Sequence, residues 1–220
     1  FPVAMFEAYD DMVAYLRGQS DPLYRSRKHV LGDIVGGAPV YVRKPPFLYT
    51  ENGYQAWAGS LSRPGVIYAP SNSGMLHAFD GATGQEKWAF VPSMVMNRMY
   101  RLADVDYGNR HEYFVNASPV VNDIYVPGSG WKTILVGGLG AGGRGYYALD
   151  ITDPDNPQVL WEFANDSLGG NGNLGLTFGN PLVTKRANGQ WVVVFASGYN
   201  KVSPGDGNGH FCQAWSSVFA

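Results

Sequence analysis

Apolar residues in this chain of 220 occur in short runs that are separated by glycine-rich turns. Two stretches are near copies: VIYA at 66–69 with MLHAFD at 75–80, and ILVG at 134–137 with GYYALD at 145–150. Each stretch is a pair of short strands around a turn, and each ends on Asp. One such pair cannot bury both of its faces, so recurrence about seventy residues later predicts β-units packed against one another.

Each unit also has an opening and a closing strand. Pro39, Pro119 and Pro181 each follow a Gly or Asn by one to three residues and precede an apolar run, and proline suits a strand start because it has no N–H to donate. Closing strands are expected at 87–91 and 159–163, and four strands per unit is the pattern of a propeller blade. We predict an all-β, partial β-propeller of about three four-stranded antiparallel blades, at residues 31–113, 114–175 and 176–220, the last incomplete.

The N-terminal segment has a different pattern. Apolar residues recur every three to four positions over residues 4–17, and Gly18 follows, which predicts one short helix. Residues 1–30 are therefore interpreted as a helix and a linker. The linker carries a basic run at 24–29, which is interpreted as a solvated face.

The blades are expected to differ in length and completeness. The stretch 44–59 is interpreted as an inserted turn-rich loop, because loops accept insertions easily, and Trp57 within it is expected to tolerate substitution. The third blade aligns a strand at 191–196 and another at 209–211, but residues 212–220 lack the Asp-containing turn and the closing strand. An unfinished blade exposes a strand edge, so self-association, strand exchange or a covering polypeptide is expected.

Composition narrows the function classes. A net charge of -2 with 15% charged residues leaves no basic cluster for nucleic acid. The single Cys212 excludes an internal disulfide and a cysteine metal cluster, the four histidines show no metal-ligand spacing, and no Gly-x-Ser-x-Gly elbow is present. No stretch approaches the roughly 20 apolar residues of a membrane helix, and no signal peptide is visible, so we expect a processed product, a fragment or a cytoplasmic protein. The sequence predicts no enzyme.

The string AFDGATGQEKW at 78–88 is the densest motif. A turn of this composition lets Asp80 and Thr83 bond nearby backbone amides, while Gly84 supplies a positive φ. It resembles the docking motif of quinoprotein-type propellers, which implies a structural role between blades. The residues expected in that role are Asp80, Thr83, Gly84, Trp88, Asp150 and Trp161.

Over about residues 12–211 the chain resembles the C-terminal β-propeller domain of the type IV pilus tip adhesins, the PilY/PilC group. The resemblance rests on YLRG at 15–18, YRSR at 24–27, LGDIV at 31–35, APVYV at 38–42, LGAGGRGYYALD at 139–150 and ASGYN at 196–200. It implies an exported, non-enzymatic protein of the periplasm, outer cell surface or pilus tip. Such a protein caps the pilus with minor pilins, supports its assembly, balances retraction and adheres to host cells or abiotic surfaces.

The same resemblance implies Ca²⁺ as an accessory ion, bound by a loop of the EF-hand kind. Asp206 and Asn208 occupy the first and third positions of the best such stretch, and 104–109 and 150–156 are weaker comparisons. None has the full ligand pattern, and no other cofactor is predicted. Two alternatives stay open: a propeller dehydrogenase with a quinone cofactor of the PQQ type, and a scaffold for outer-membrane assembly.

Overall fold

The computed structural model describes residues 3–164, 174–196, 198–199 and 217–218. Helix α1 (Val3–Leu16) precedes the first sheet, so the predicted N-terminal helix is present. The sheet contains β1 (Val40–Val42), β2 (Val66–Ser71), β3 (Met75–Asp80) and β4 (Glu86–Phe90), hydrogen-bonded in that order and antiparallel throughout.

A second four-stranded meander follows a connection with three short helices. The connection contains α3 (Ser93–Met96), which follows α2 (Tyr54–Ser60) in the chain, and two 3-10 helices, Met99–Ala103 and Tyr107–Asn109. The sheet is β5 (Val120–Val126), β6 (Gly130–Gly138), β7 (Gly145–Asp150) and β8 (Gln158–Ala164), in sequential antiparallel order. Each meander is one blade, because every strand pairs with its chain neighbour.

The third sheet has three described strands, β9 (Leu182–Lys185), β10 (Trp191–Val194) and β11 (Ser217–Val218), in the order β11-β10-β9. The mostly-β architecture of antiparallel blades with a shorter third sheet is therefore confirmed. The stretch 209–211, aligned above as the next strand, lies outside the described residues. The described strand that pairs with β10 is β11, through Val192 with Val218 and Val193 with Ser217. Self-association through this edge stays a prediction.

The expectation for the insertion at 44–59 is wrong in one respect. The segment contains helix α2 (Tyr54–Ser60), and Trp57 on that helix is half-buried. Its ring centroid lies 5.5 Å from that of Tyr54 and 6.1 Å from that of Trp131 in the second blade. Trp57 is thus part of a packed aromatic group rather than a tolerant loop position.

Two apolar cores lie between the blades. The first joins the first blade, the connecting helices and the inner strands of the second blade; its buried members include Tyr68, Leu76, Val95, Phe114, Leu135 and Tyr147. The second joins α2, the outer face of the second blade and the third sheet; its buried members include Tyr54, Ile124, Trp131, Tyr146, Trp191 and Val193. The second blade thereby buries both faces, which one sheet cannot do alone. No helix in the described part of the chain is long and apolar enough to cross a membrane.

Candidate functional site

The turn between β3 and β4 is built by one aspartate. Asp80 Oδ1 accepts hydrogen bonds from the backbone N–H of Ala82 (3.0 Å) and Thr83 (2.8 Å) and from the Thr83 hydroxyl (3.0 Å). Gly84 has φ +73° and donates to the Asp80 carbonyl at 2.8 Å. These backbone and hydroxyl donors lower the pKa of Asp80. The local bonds expected from the motif are present, and they aim the start of β4 at the next blade.

Trp88 and Lys87 connect β4 to one loop of the second blade. Trp88 Nε1 donates to the carbonyl of Pro154 at 2.8 Å, and Lys87 Nζ lies 2.5 Å from Asp155 Oδ1. The Trp88 ring also packs on Tyr68 with a centroid distance of 5.6 Å. The structure therefore places Trp88 at the boundary between blades; it is half-buried rather than fully enclosed.

The second blade repeats this turn with a different set of donors. Asp150 Oδ1 accepts from the N–H (3.0 Å) and hydroxyl (2.6 Å) of Thr152, and Oδ2 accepts from Lys132 Nζ at 2.7 Å. Burial alone would raise the pKa of Asp150, but the bonds from Lys132 and Thr152 outweigh it and lower the pKa. Trp161 pairs with Ala148 in the sheet and packs against the second core.

Both blades carry an irregularity at the same point of the repeat. The pairing register shifts between Ala78 and Phe79 in the first blade and between Ala148 and Leu149 in the second. One extra residue on the closing strand increases local twist and redirects the side chains that follow. The bulge therefore sets the direction of the tryptophan in each closing strand.

A buried polar network anchors α2 to the second blade, and the sequence analysis missed it. Asp123 is 0% exposed and accepts hydrogen bonds from the hydroxyls of Tyr54 (2.7 Å) and Thr133 (2.6 Å). Arg63 NH1 donates to Thr133 Oγ1 at 3.0 Å. Burial raises the pKa of Asp123, opposed by the bonds from Thr133 and Tyr54 and by the charge of Arg63. The sequence signal for this network is Asp123, a charged residue within the mostly apolar run VVNDIYV.

Strand pairing also brings together a serine, a histidine and a glutamate that the sequence did not connect. Ser73 Oγ lies 2.7 Å from His77 Nε2, and His77 Nδ1 lies 2.5 Å from Glu86 Oε1. This is the connectivity of a nucleophile, a base and an acid, although the serine is not in a Gly-x-Ser-x-Gly elbow. However, the amides at the turn are already used: Ser73 N–H donates to Ser71 Oγ and Gly74 N–H to the Ser71 carbonyl. These two amides are therefore not available to an oxyanion, and the trio links the β2–β3 turn to β3 and β4.

A concavity of about 810 Å³ lies between the second and third blades. Tyr125 and Trp191 supply aromatic surface, and the amides of Asn52 and Gln190 supply polar groups. Lys185 forms an ion pair with Glu51 on its rim. Its mixture of aromatic and polar walls is that of a ligand-binding cleft.

The predicted calcium ligands Asp206 and Asn208 lie outside the described residues, so calcium binding stays a prediction. Within the described ranges no group of three His, Cys, Asp or Glu side chains is arranged to hold a metal. In the weaker stretch at 104–109, both Asp104 and Asp106 pair with Arg110. Their carboxylates are therefore engaged in ion pairs.

The comparisons with known proteins agree with this architecture. Residues 31–212 match the model of the PilY1 beta-propeller domain. The chain belongs to the PilY1 β-propeller family. It is 41% identical over 197 residues to the type IV pilus biogenesis factor PilY1 of Pseudomonas aeruginosa strain UCBPP-PA14, covering 85% of this chain and 17% of that protein. A PilY1 homolog of Xylella fastidiosa strain Temecula1 is 37% identical over 214 residues, covering 91% and 17% respectively.

A solved structure supports the same family. The crystal structure of the Pseudomonas aeruginosa PilY1 C-terminal domain superposes with a TM-score of 0.59 at 35% identity. The match covers 73% of this chain and 32% of that chain. The chain thus spans about a sixth of the length of the curated PilY1 relatives (17%), and it corresponds to part of their propeller.

Proposed function

We propose that this chain is a binding scaffold in type IV pilus biogenesis, with a place at the pilus tip. The observation that carries the proposal is the family match over residues 31–212 to a propeller whose relatives are named pilus biogenesis factors. The finer roles belong to the same proposal: export to the cell surface, contact with minor pilins, control of retraction, and adhesion to host cells or abiotic surfaces.

The geometry of the described residues supports a scaffold rather than a reaction centre. The blades are joined by hydrogen bonds such as Trp88 to Pro154 and by two apolar cores. The Ser73, His77 and Glu86 side chains link the β2–β3 turn to β3 and β4. The open concavity between the second and third blades supplies a surface where a partner can bind.

The proposal is tested by deleting the gene in the source organism and measuring surface pili and twitching motility. We expect both to fall and to recover with the wild-type gene. Normal piliation in a clean deletion would refute the proposal. Co-purification separates the alternatives: pilins support the scaffold at the pilus, whereas outer-membrane barrel proteins, or quinone absorbance with dye-linked alcohol oxidation, would support the other two functions.

A matched pair of variants tests the cleft. Gln190→Trp places a bulky ring on the wall of the concavity, and Gln85→Trp makes the same change on the exposed β3–β4 turn of the first blade. We expect the first to reduce pilin co-purification and motility while both proteins fold. Equal pilin co-purification and motility in the two variants would show that the partner binds at another surface.

A further inference from the structure

The linker after α1 is held firmly against the body of the protein. Arg25 N–H donates to the Ala103 carbonyl at 2.9 Å, and the Tyr15 hydroxyl donates to the Arg25 carbonyl at 2.9 Å. Tyr15 is itself buried. The basic run that the sequence places on a solvated face is therefore partly fixed, and two of its arginines are half-buried.

Each of these arginines uses only part of its guanidinium. Arg25 Nε donates to the Leu102 carbonyl at 3.1 Å, and its guanidinium carbon lies 4.6 Å from the ring centroid of Tyr107. Arg27 NH2 donates to the carbonyls of Tyr15 (2.5 Å) and Gln19 (3.1 Å), and its guanidinium carbon lies 3.8 Å from the Tyr15 ring centroid. A guanidinium has five N–H donors. Within the described ranges, NH1 and NH2 of Arg25 and Nε and NH1 of Arg27 have no hydrogen-bond partner.

The charge of the two arginines is also unbalanced. Within the described part of the chain, no carboxylate lies within 4.0 Å of either one, whereas Arg98, Arg101 and Arg110 elsewhere all pair with acids. Burial lowers the pKa of Arg27; the adjacent Tyr15 opposes this effect, and the positive charge of Arg25 adds to it. Two partly desolvated cations that repel each other are stabilised by an anion placed between them.

Both arginines line two adjoining cavities, which gives such an anion room. The larger, of about 300 Å³, is also lined by Tyr24, Ser20, Ser26 and Asp21. Asp21 accepts the N–H of Leu23 at 2.7 Å. The smaller cavity, of about 140 Å³, contains Asp33, but that carboxylate accepts hydrogen bonds from Asn72 and His111. The lining of the larger cavity thus includes one aspartate and two arginines.

We propose that Arg25 and Arg27 form a binding site for a carboxylate carried by a ligand of about amino-acid size. The planar guanidinium fork matches the two oxygens of a carboxylate. The half-buried ring of Tyr24 provides an apolar surface for the body of the ligand, and a cavity of this volume is at the lower end of the range for small ligands. The carboxylate comes from a free small acid or from the end of a peptide.

The test uses the whole 220-residue chain and isothermal titration with N-acetylphenylalanine, its neutral amide and inorganic phosphate as probes. We expect the acid to bind about tenfold or more tightly than the amide, because charged hydrogen bonds contribute more than neutral ones. Binding should weaken as ionic strength rises. A peptide ending in phenylalanine that binds more tightly than N-acetylphenylalanine assigns the site to chain ends, and the reverse order assigns it to small acids.

Variants make the inference specific to the two arginines. Arg25→Gln and Arg27→Gln should each weaken binding of the acid about tenfold. Lys28→Gln removes a neighbouring charge that is exposed, and it should change the affinity for the acid by no more than about twofold. Asp21→Asn should tighten binding, since it removes the acidic group on the cavity wall. This variant keeps the inference testable if an arginine variant fails to fold, as judged by circular dichroism.

Four results would overturn the inference. These are equal binding of the acid and the amide, tighter binding of phosphate than of the acid, a loss in Lys28→Gln as large as in Arg27→Gln, and no gain in Asp21→Asn. None of them bears on the pilus proposal, which rests on the family match and the deletion phenotype.

Discussion

Trp88 offers the sharpest test of how the blades dock. Trp88→Phe keeps an aromatic ring on Tyr68 but removes the N–H that donates to Pro154, so we expect a loss of about 1 kcal/mol in the free energy of unfolding. Trp88→Ala removes the ring as well. A fully buried tryptophan costs about 3–5 kcal/mol, and because Trp88 is half-buried we expect about 2–4 kcal/mol.

The assay is urea unfolding followed by circular dichroism, with Lys87→Gln as the matched control. Lys87 contacts the same loop through Asp155, but Asp155 is 64% exposed along its side chain, and exposed ion pairs contribute about 0–1 kcal/mol. We expect the order Trp88→Ala, Trp88→Phe, Lys87→Gln from the largest loss to the smallest. A Trp88→Phe protein as stable as wild type would refute the docking bond, and equal losses in Trp88→Ala and Lys87→Gln would refute the packing argument.

Three further predictions use the same unfolding assay. Trp57→Ala should lower the free energy of unfolding by about 2–4 kcal/mol through lost aromatic packing. An unchanged free energy of unfolding would show that position 57 tolerates substitution. Gly142→Ala should destabilise strongly because a Cβ would lie 1.8 Å from the Phe114 carbonyl oxygen, whereas Gly59→Ala meets nothing within 4 Å and should be neutral or stabilising by up to about 1 kcal/mol. The pKa of Asp123 is raised in the folded state, so its contribution to stability should fall as pH rises from about 3.9, the unfolded pKa, to the folded pKa; Asp123→Asn should remove that slope, and an unchanged slope would contradict it.

The strands and turns were predictable because their determinants are local. Alternation of apolar residues and a turn with Asp and Thr act over a few positions, and both occur in 75–88 and again in 145–161. The structure therefore follows the expected order of strands in the first two blades. The same sequence signals also predicted β9 and β10, the first two strands of the third blade.

The insertion and the polar networks could not be predicted in this way because their determinants are distant in sequence. Residues near Trp57 include Gly and Asn, which indicate turns, while the partner ring is Trp131, in another blade. Asp123 is buried only because Tyr54 and Thr133 satisfy its two oxygens. A charged residue within an apolar strand shows that a partner must exist, but it does not show where the partner lies.

Hydrogen bonds between neighbouring blades show why some contacts were predictable from the sequence and others were not. Trp88 donates to the carbonyl of Pro154, and Thr177 Oγ1 donates to the carbonyl of Gly145 while accepting the N–H of Leu139. In both of these sets of hydrogen bonds one partner is a side chain and the other is backbone, which every residue type supplies. The side chain of the first bond, Trp88, is therefore visible in the sequence as part of a motif, whereas its backbone partner has no sequence signature. Because the backbone half places no demand on residue type, blades of unequal length can dock by the same bonds.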